Sequence, residues 1–129
     1  MTEILTDNWL KDFFGNADED NVIKRRESHY IEFKSKFDWT SEKARSNYSK
    51  SLCAFSNNKG GALIFGVENK PHKITGIENF EDIDDADITN YLNELFTPSI
   101  NFERKTFEFR NMKIGILYAF KNKNRPFRI

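Results

Sequence analysis

The chain has 129 residues, of which 38% are hydrophobic, and its 20 basic and 20 acidic residues give a formal net charge of zero. This length suffices for one compact domain, but no apolar run approaches the roughly 20 residues that a membrane-spanning helix needs. Cys53 is the single cysteine, which excludes an internal disulfide and a cysteine-rich zinc site. Residues 1–3 lack the basic region of a signal peptide, so we expect a cytoplasmic protein without a membrane segment.

The charges are unevenly distributed although their total is zero. Residues 74–103 contain eight acidic residues and no Lys or Arg, whereas residues 104–129 contain eight basic residues and one acidic residue. This segregation is compatible with a basic face that binds the phosphates of a nucleic acid. It is equally compatible with acidic helices that face solvent.

The N-terminal stretch predicts an amphipathic helix over residues 2–14. Its large apolar residues fall near one helical stripe, and either Thr2 or Thr6 can cap its start. We divide the chain into this helix with the polar linker that follows it, residues 1–21, and a main domain, residues 22–129. The helix is expected to pack either on the main domain or on a partner chain.

The first strand of the main domain is predicted to have one apolar and one polar face. Ile31 and Phe33 point to one side because successive side chains alternate along a strand. Tyr30, Glu32 and Lys34 point to the other side. A carboxylate and an ammonium group are therefore expected to share one face of this strand.

The remaining pattern alternates helices and strands. A helix is predicted from Thr40 or Ser41 to about Asn57, and the apolar run 62–67 predicts a central strand buried on both faces. The later predicted elements are a short strand at 73–77, a helix at 84–96, and a hairpin of strands at 101–110 and 112–120. This order predicts the α+β class, with a single mixed β-sheet and helices packed on it. The basic end lacks a closing element, so we expect the chain to be a fragment of a longer protein.

Six short motifs follow one another between residues 22 and 120. They are Glu27-Ser28, Glu32-Phe33-Lys34, Ala54-Phe55-Ser56-Asn57, Gly60-Gly61, Gly66-Val67-Glu68-Asn69 and Gly76-Ile77. In this ordered set the chain resembles the Schlafen-type AlbA domain, the AlbA_2 family. The resemblance implies an AlbA-like fold that binds nucleic acid. It also implies a place at the N-terminus of a longer bacterial-type protein, such as an ATP-dependent regulator or a helicase-like protein.

The resemblance also implies a metal-dependent nuclease centre. In vertebrate Schlafens two such lobes form a clamp that cleaves transfer and ribosomal RNA, with two motif glutamates and a third acid as the catalytic centre. Carried over by motif, the glutamates are Glu27 and Glu32, with Mg²⁺ or Mn²⁺ as the implied cofactor. The third acid falls on Asn69, which offers an oxygen but no charge, and Glu68 is its acidic neighbour. Since one domain is small for a clamp, we expect a homodimer or pairing with another lobe.

The residue types suit the same chemistry without the resemblance. Hydrolysis of a phosphodiester uses a hard cation held by carboxylate oxygens, which Glu27 and Glu32 can supply. Lys34, beside Glu32, can hold a phosphate oxygen and is the third candidate catalytic residue. The alternative is a surface salt-bridge cluster of these side chains with Arg26.

Two basic clusters are candidates for contacts with the backbone phosphates of RNA or single-stranded DNA. They comprise Lys24, Arg25, Arg26 and Lys36 near the first strand, and Lys121, Lys123 and Arg125 near the end of the chain. The alternative is solvated charge. Trp39 is a candidate for stacking on a base, or else a lid over the core.

The segment from Asn57 to Gly61 is either a phosphate-binding turn or a tight helix-to-strand turn that needs a positive φ. It lacks the P-loop pattern, so no ATP site of that kind is predicted. Two functions remain open. One is a nucleic-acid-binding domain that acts as a divalent-metal endonuclease on RNA. The other is a non-catalytic DNA- or RNA-binding or dimerisation module that regulates a larger protein, such as a transcriptional regulator or an ATPase.

Overall fold

A computed structural model describes residues 6–24, 30–96 and 100–122 of the chain. Within these ranges four strands form a single sheet, and three α-helices pack on it. The elements are α1 (Asp7–Phe14), β1 (Ile31–Lys34), α2 (Glu42–Ser56), β2 (Gly61–Phe65), a 3-10 turn (Phe80–Asp82), α3 (Asp85–Leu95), β3 (Phe102–Phe109) and β4 (Met112–Ala119). The predicted α+β class with one mixed sheet is confirmed.

The sheet has the strand order β1-β2-β4-β3. β1 runs parallel to β2, whereas the other two pairings are antiparallel. Every residue of β2 is buried, as its continuous apolar run predicts for a central strand. α2 connects the carboxyl end of β1 to the amino end of β2, so it runs antiparallel to both strands and lies against them.

The helix α1 covers one face of the sheet. Leu10, Phe13 and Phe14 are buried in a cluster with apolar residues of all four strands. The Thr6 side chain caps the helix by accepting a hydrogen bond of 3.2 Å from the Trp9 backbone N–H. Of the two arrangements expected for this helix, packing on the main domain is therefore the one that the structure confirms.

The helices α2 and α3 cover the opposite face of the sheet. Phe37, Trp39 and Tyr48 stack there above Phe65, within a second apolar cluster. Trp39 is only 6% exposed. It is therefore a lid over this core, and its ring is not available to stack on a base.

The strand predicted at 73–77 is wrong, because only isolated bridges form there, between Val22 and Lys73 and between Val67 and Ile74. Gly66 and Gly76 both have positive φ, at 107° and 75°. A Cβ on Gly66 would lie 3.0 Å from the Gly76 Cα, so the two backbones pass in close contact. The chain bends at these glycines, and the ladder cannot continue beyond one bridge.

The packing of β4 against the 3-10 turn leaves no room for a side chain at Gly115. A Cβ there would lie 2.5 Å from the Phe80 ring, which is itself fully buried. We therefore expect Gly115→Ala to lower the free energy of unfolding by about 1–3 kcal/mol, the usual cost of overpacking a core. Urea denaturation followed by circular dichroism measures this change.

A second substitution identifies the clash as the cause. Phe80→Leu removes ring atoms where the new methyl group would lie, so the double variant is expected to lose less stability than the two single variants added together. Strictly additive losses would contradict this account.

Candidate functional site

The polar face of β1 lies at one edge of the described sheet. Ile31 and Phe33 are buried on the side of α1, whereas Glu32 and Lys34 are half-buried on the side of α2. The predicted alternation of this strand is confirmed. Because β1 is an outer strand in the described order, these two side chains reach solvent although their backbone belongs to the sheet.

Glu32 is held from two directions. The Ser51 hydroxyl of α2 lies 3.2 Å from both carboxylate oxygens, so its one proton is shared between them. The Lys34 Nζ lies 3.0 Å from Glu32 Oε2, with side-chain exposures of 33% for Lys34 and 31% for Glu32. We call Glu32, Lys34 and Ser51 the polar strip. It presents an oriented carboxylate and an ammonium group at the sheet edge, which suits the binding of a cation or a phosphate.

Ser51 was not identified from the sequence. It directly precedes Leu52 of the buried stripe, and its contact with Glu32 joins residues 19 positions apart. The sequence feature that could have identified Ser51 is the parallel crossover, which places one flank of α2 beside β1. A small polar residue on that flank is the expected partner of an edge carboxylate.

Two of the other predicted metal ligands come after the end of β2. Glu68 and Asn69 follow the bend after β2, and both are exposed. Glu32 lies across from Leu63, and Glu68 comes five positions further along the chain. Both residues lie outside the strands, in the loop that follows Val67. Glu27 lies outside the described residues.

In the part of the chain that the structure describes, no three His, Cys, Asp or Glu side chains come together in a way that could hold a metal ion. Glu32 is the one carboxylate of the polar strip. The four-residue metal site therefore stays a prediction.

The predicted basic residues fall at different ends of the sheet. Lys36 lines a concavity of about 510 Å³ beyond the carboxyl end of β1, together with Glu68. Lys24 lies near that end too, since the preceding Ile23 N–H donates to the His72 carbonyl oxygen. Lys121 follows β4 at the opposite end. Arg25, Arg26, Lys123 and Arg125 lie outside the described residues.

The turn before β2 is tightly packed. Gly60 has a φ of 85°, and a Cβ there would lie 2.7 Å from the Tyr118 hydroxyl. The chain after β4 crosses this turn, because the Ser56 hydroxyl donates to the Phe120 carbonyl oxygen and the Asn122 N–H donates to the Ser56 carbonyl oxygen, each at 2.7 Å. These contacts favour the tight-turn interpretation and bring Lys121 beside Gly60.

A capped loop sets the start of the helix that carries Ser51. The Asp38 carboxylate accepts hydrogen bonds from the Thr40 hydroxyl at 2.7 Å and from the backbone N–H groups of Thr40 and Ser41. The Thr40 hydroxyl is the largest cause that lowers the pKa of Asp38 below its ordinary value. Ser41 then caps α2 by accepting from the Ala44 N–H at 3.2 Å.

The sequence and the fold are both similar to known proteins. The family model described as "Schlafen, AlbA_2" matches residues 27–129. The chain belongs to the Schlafen AlbA_2 family. The resemblance of the six motifs is therefore confirmed.

Relatives of this AlbA_2 domain are longer proteins. An uncharacterised ATP-binding protein of Ureaplasma parvum serovar 3 is 39% identical over 102 residues, which cover 75% of this chain and 27% of that protein. The chain thus spans about a quarter of the length of the curated relative that it matches.

Solved structures share the fold at low sequence identity. The DIP2311 protein from Corynebacterium diphtheriae matches with a TM-score of 0.62 and 16% identity, over 92% of this chain and 22% of that chain. The N-terminal domain of a protein from Nitrosomonas europaea, described as related to the ATP-dependent DNA helicase RecG, matches with a TM-score of 0.54 and 17% identity, over 91% of this chain and 81% of that one. No helix among the described residues has the length and apolar character needed to cross a membrane.

The lowered pKa of Asp38 predicts a pH-dependent contribution to the stability of this AlbA_2 domain. Its hydrogen bonds stabilise the fold fully above about pH 4, where an unfolded Asp is ionised, and this contribution is lost as the pH falls through the lowered value. We therefore expect Asp38→Asn to lower the Tm at neutral pH and to lower it progressively less as the medium is acidified. Thermal unfolding across that pH range measures this, and a constant difference between the two chains would contradict it.

Proposed function

We propose that this AlbA_2 domain binds single-stranded nucleic acid, RNA or DNA, along its polar strip. The observation that carries the proposal is the half-buried Lys34–Glu32 pair on an edge strand, oriented by Ser51. The ammonium of Lys34 is one-third exposed, so it can bind a backbone phosphate without leaving the strand. Lys36, two positions further and also exposed, extends the basic edge in the same direction.

The comparisons support a role inside a larger protein. The Ureaplasma relative is named as ATP-binding, and the Nitrosomonas protein is described as related to a DNA helicase. Enzymes of the helicase kind act on nucleic-acid strands, and an N-terminal domain that binds those strands would hold the substrate near the motor. We propose that this domain serves its own larger protein as such a module.

We further propose that the same site hydrolyses phosphodiesters with Mg²⁺ or Mn²⁺. The residues fit such an ion in kind, because carboxylate and amide oxygens are its preferred ligands and the Glu32 carboxylate is accessible. Glu27 and Glu32 would hold it, with Glu68 or Asn69 as the third ligand. When bound, the cation would neutralise charge on the phosphate and activate a water molecule. Ser51 orients the Glu32 carboxylate, and Lys34 binds a phosphate oxygen.

The competing function is a non-catalytic binding or assembly module. It is favoured by Asn69, which brings no charge to the position where the resemblance expects a third acid.

Cleavage distinguishes the two functions. The chain is incubated with end-labelled transfer RNA in the presence of Mg²⁺, Mn²⁺ or a chelator. We expect metal-dependent cleavage that Glu32→Gln reduces by about 100-fold or more, since the amide keeps the shape of the side chain but not its charge. Glu103→Gln, an exposed acid on the opposite outer strand, is the matched control and should cleave normally. Binding without cleavage, unchanged by Glu27→Gln and Glu32→Gln, would rule out the nuclease and support the binding module.

Binding itself is tested by a salt titration with a single-stranded oligonucleotide. If Lys34 contacts a phosphate, Lys34→Gln should weaken binding and reduce the slope of log affinity against log salt by about one. Lys113→Gln is the matched control, because Lys113 also pairs with a glutamate, Glu81, at 2.9 Å but lies on β4 away from the polar strip. No affinity even at low salt would refute both nucleic-acid functions.

A further inference from the structure

One large aromatic side chain is exposed at the surface. Tyr30 is 48% exposed, and it is the one large hydrophobic side chain among the described residues that is exposed. Trp39, the aromatic residue that the sequence offered for stacking, is only 6% exposed. If an aromatic platform for a base exists in the described part of the chain, Tyr30 is the residue that can supply it.

The backbone of Tyr30 is fixed by the sheet although the residue precedes β1. Its carbonyl oxygen accepts a hydrogen bond of 2.8 Å from the Ala62 N–H, and a Cβ on Gly61 would lie 2.8 Å from that same oxygen. The backbone from which the Tyr30 side chain projects is therefore held by strand pairing. A ring on a rigid element loses less conformational entropy on binding than one on a free loop.

Tyr30 continues the row of the polar strip. Ile31 and Phe33 are buried, whereas Tyr30 is exposed and Glu32 and Lys34 are half-buried. This alternation of burial favours the same face for Tyr30 as for Glu32 and Lys34. Tyr30 and Glu32 are two positions apart, a rise of about 6.6 Å in extended backbone. An aromatic ring, a carboxylate and an ammonium group thus follow one another along one edge.

A single exposed aromatic side chain is common on protein surfaces, so exposure alone does not indicate a binding site. The row adds the second observation, because the ring and Lys34 each match a different part of one ligand. A nucleotide offers a flat base for the ring and a phosphate for Lys34.

We propose that the Tyr30 ring stacks on an unpaired nucleobase and so holds the adjoining phosphate at the polar strip. This inference rests on the proposed function and assigns the residue that contacts the base. Every base has a π-face, so such a platform tolerates any sequence. A base inside a duplex has both faces covered by its neighbours, so the platform selects single strands. Tyr30 is a positioning residue for this ligand.

The test uses the 129-residue chain and two labelled probes of equal charge. One is an oligouridylate of about 12 nucleotides, within the roughly 4–16-nucleotide sites of single-strand binders, and the other is a matched oligomer whose nucleotides are abasic. We expect Tyr30→Ala to weaken oligouridylate binding roughly 5- to 150-fold and to leave abasic binding unchanged. Tyr30→Phe, which keeps the ring, should bind like the unmodified chain. Binding of a third probe, an oligothymidylate, tests whether the ring stacks on the bases of DNA as well as of RNA.

The outcomes separate the inference from the function on which it rests. Equal binding by Tyr30→Ala and the unmodified chain would overturn the inference alone. So would an equal loss on both probes, or a Tyr30→Phe chain as weak as Tyr30→Ala, since neither result is produced by stacking. No binding of either probe by the unmodified chain would overturn the proposed function and the inference together. Circular dichroism of each variant confirms that the fold is retained.

Discussion

The parallel pairing of β1 with the buried strand β2 is the constraint on which the candidate site depends. Two parallel strands that are neighbours in the chain need a crossover, and here α2 supplies it. The crossover lays one flank of α2 beside the outer strand, which brings Ser51 within hydrogen-bond distance of Glu32. The site is therefore a product of the connection between two strands. A different topology with the same strands would leave the carboxylate without its orienting hydroxyl.

The second constraint is the alternation within β1. Ile31 and Phe33 are 4% and 1% exposed in the cluster that α1 completes, so a slip of one residue would bury Glu32 and Lys34 instead. The apolar face thus dictates where the charged face lies. The ion pair itself adds little to stability, because pairs that are one-third exposed are worth at most about 1 kcal/mol. Packing by other residues holds these two charges in place, and the charges are available for binding.

The features that depend on local pattern could be predicted from the sequence. The cap and length of α2, the fully buried β2 and the β3–β4 hairpin follow from capping residues, an apolar run and period-two alternation. The strand expected at 73–77 was wrong because the contact between Gly66 and Gly76 bends the chain, and a pattern of side chains does not report such a contact. The bond between Ser51 and Glu32 was missed for a similar reason, since it depends on how a helix sits on a sheet.

The two candidate functions differ in the number of carboxylates that meet at Glu32. A binding module needs only the ammonium of Lys34, with Glu32 and Ser51 holding it in place. A nuclease needs further hard ligands at the same point, since a divalent cation with a single carboxylate is weakly held. Glu68 belongs to the turn beyond β2, five positions past the residue that faces Glu32, and Asn69 brings no charge. Cleavage by this chain therefore depends on Glu27 and on Glu68 or Asn69 as further ligands, because Glu32 is the one carboxylate of the polar strip.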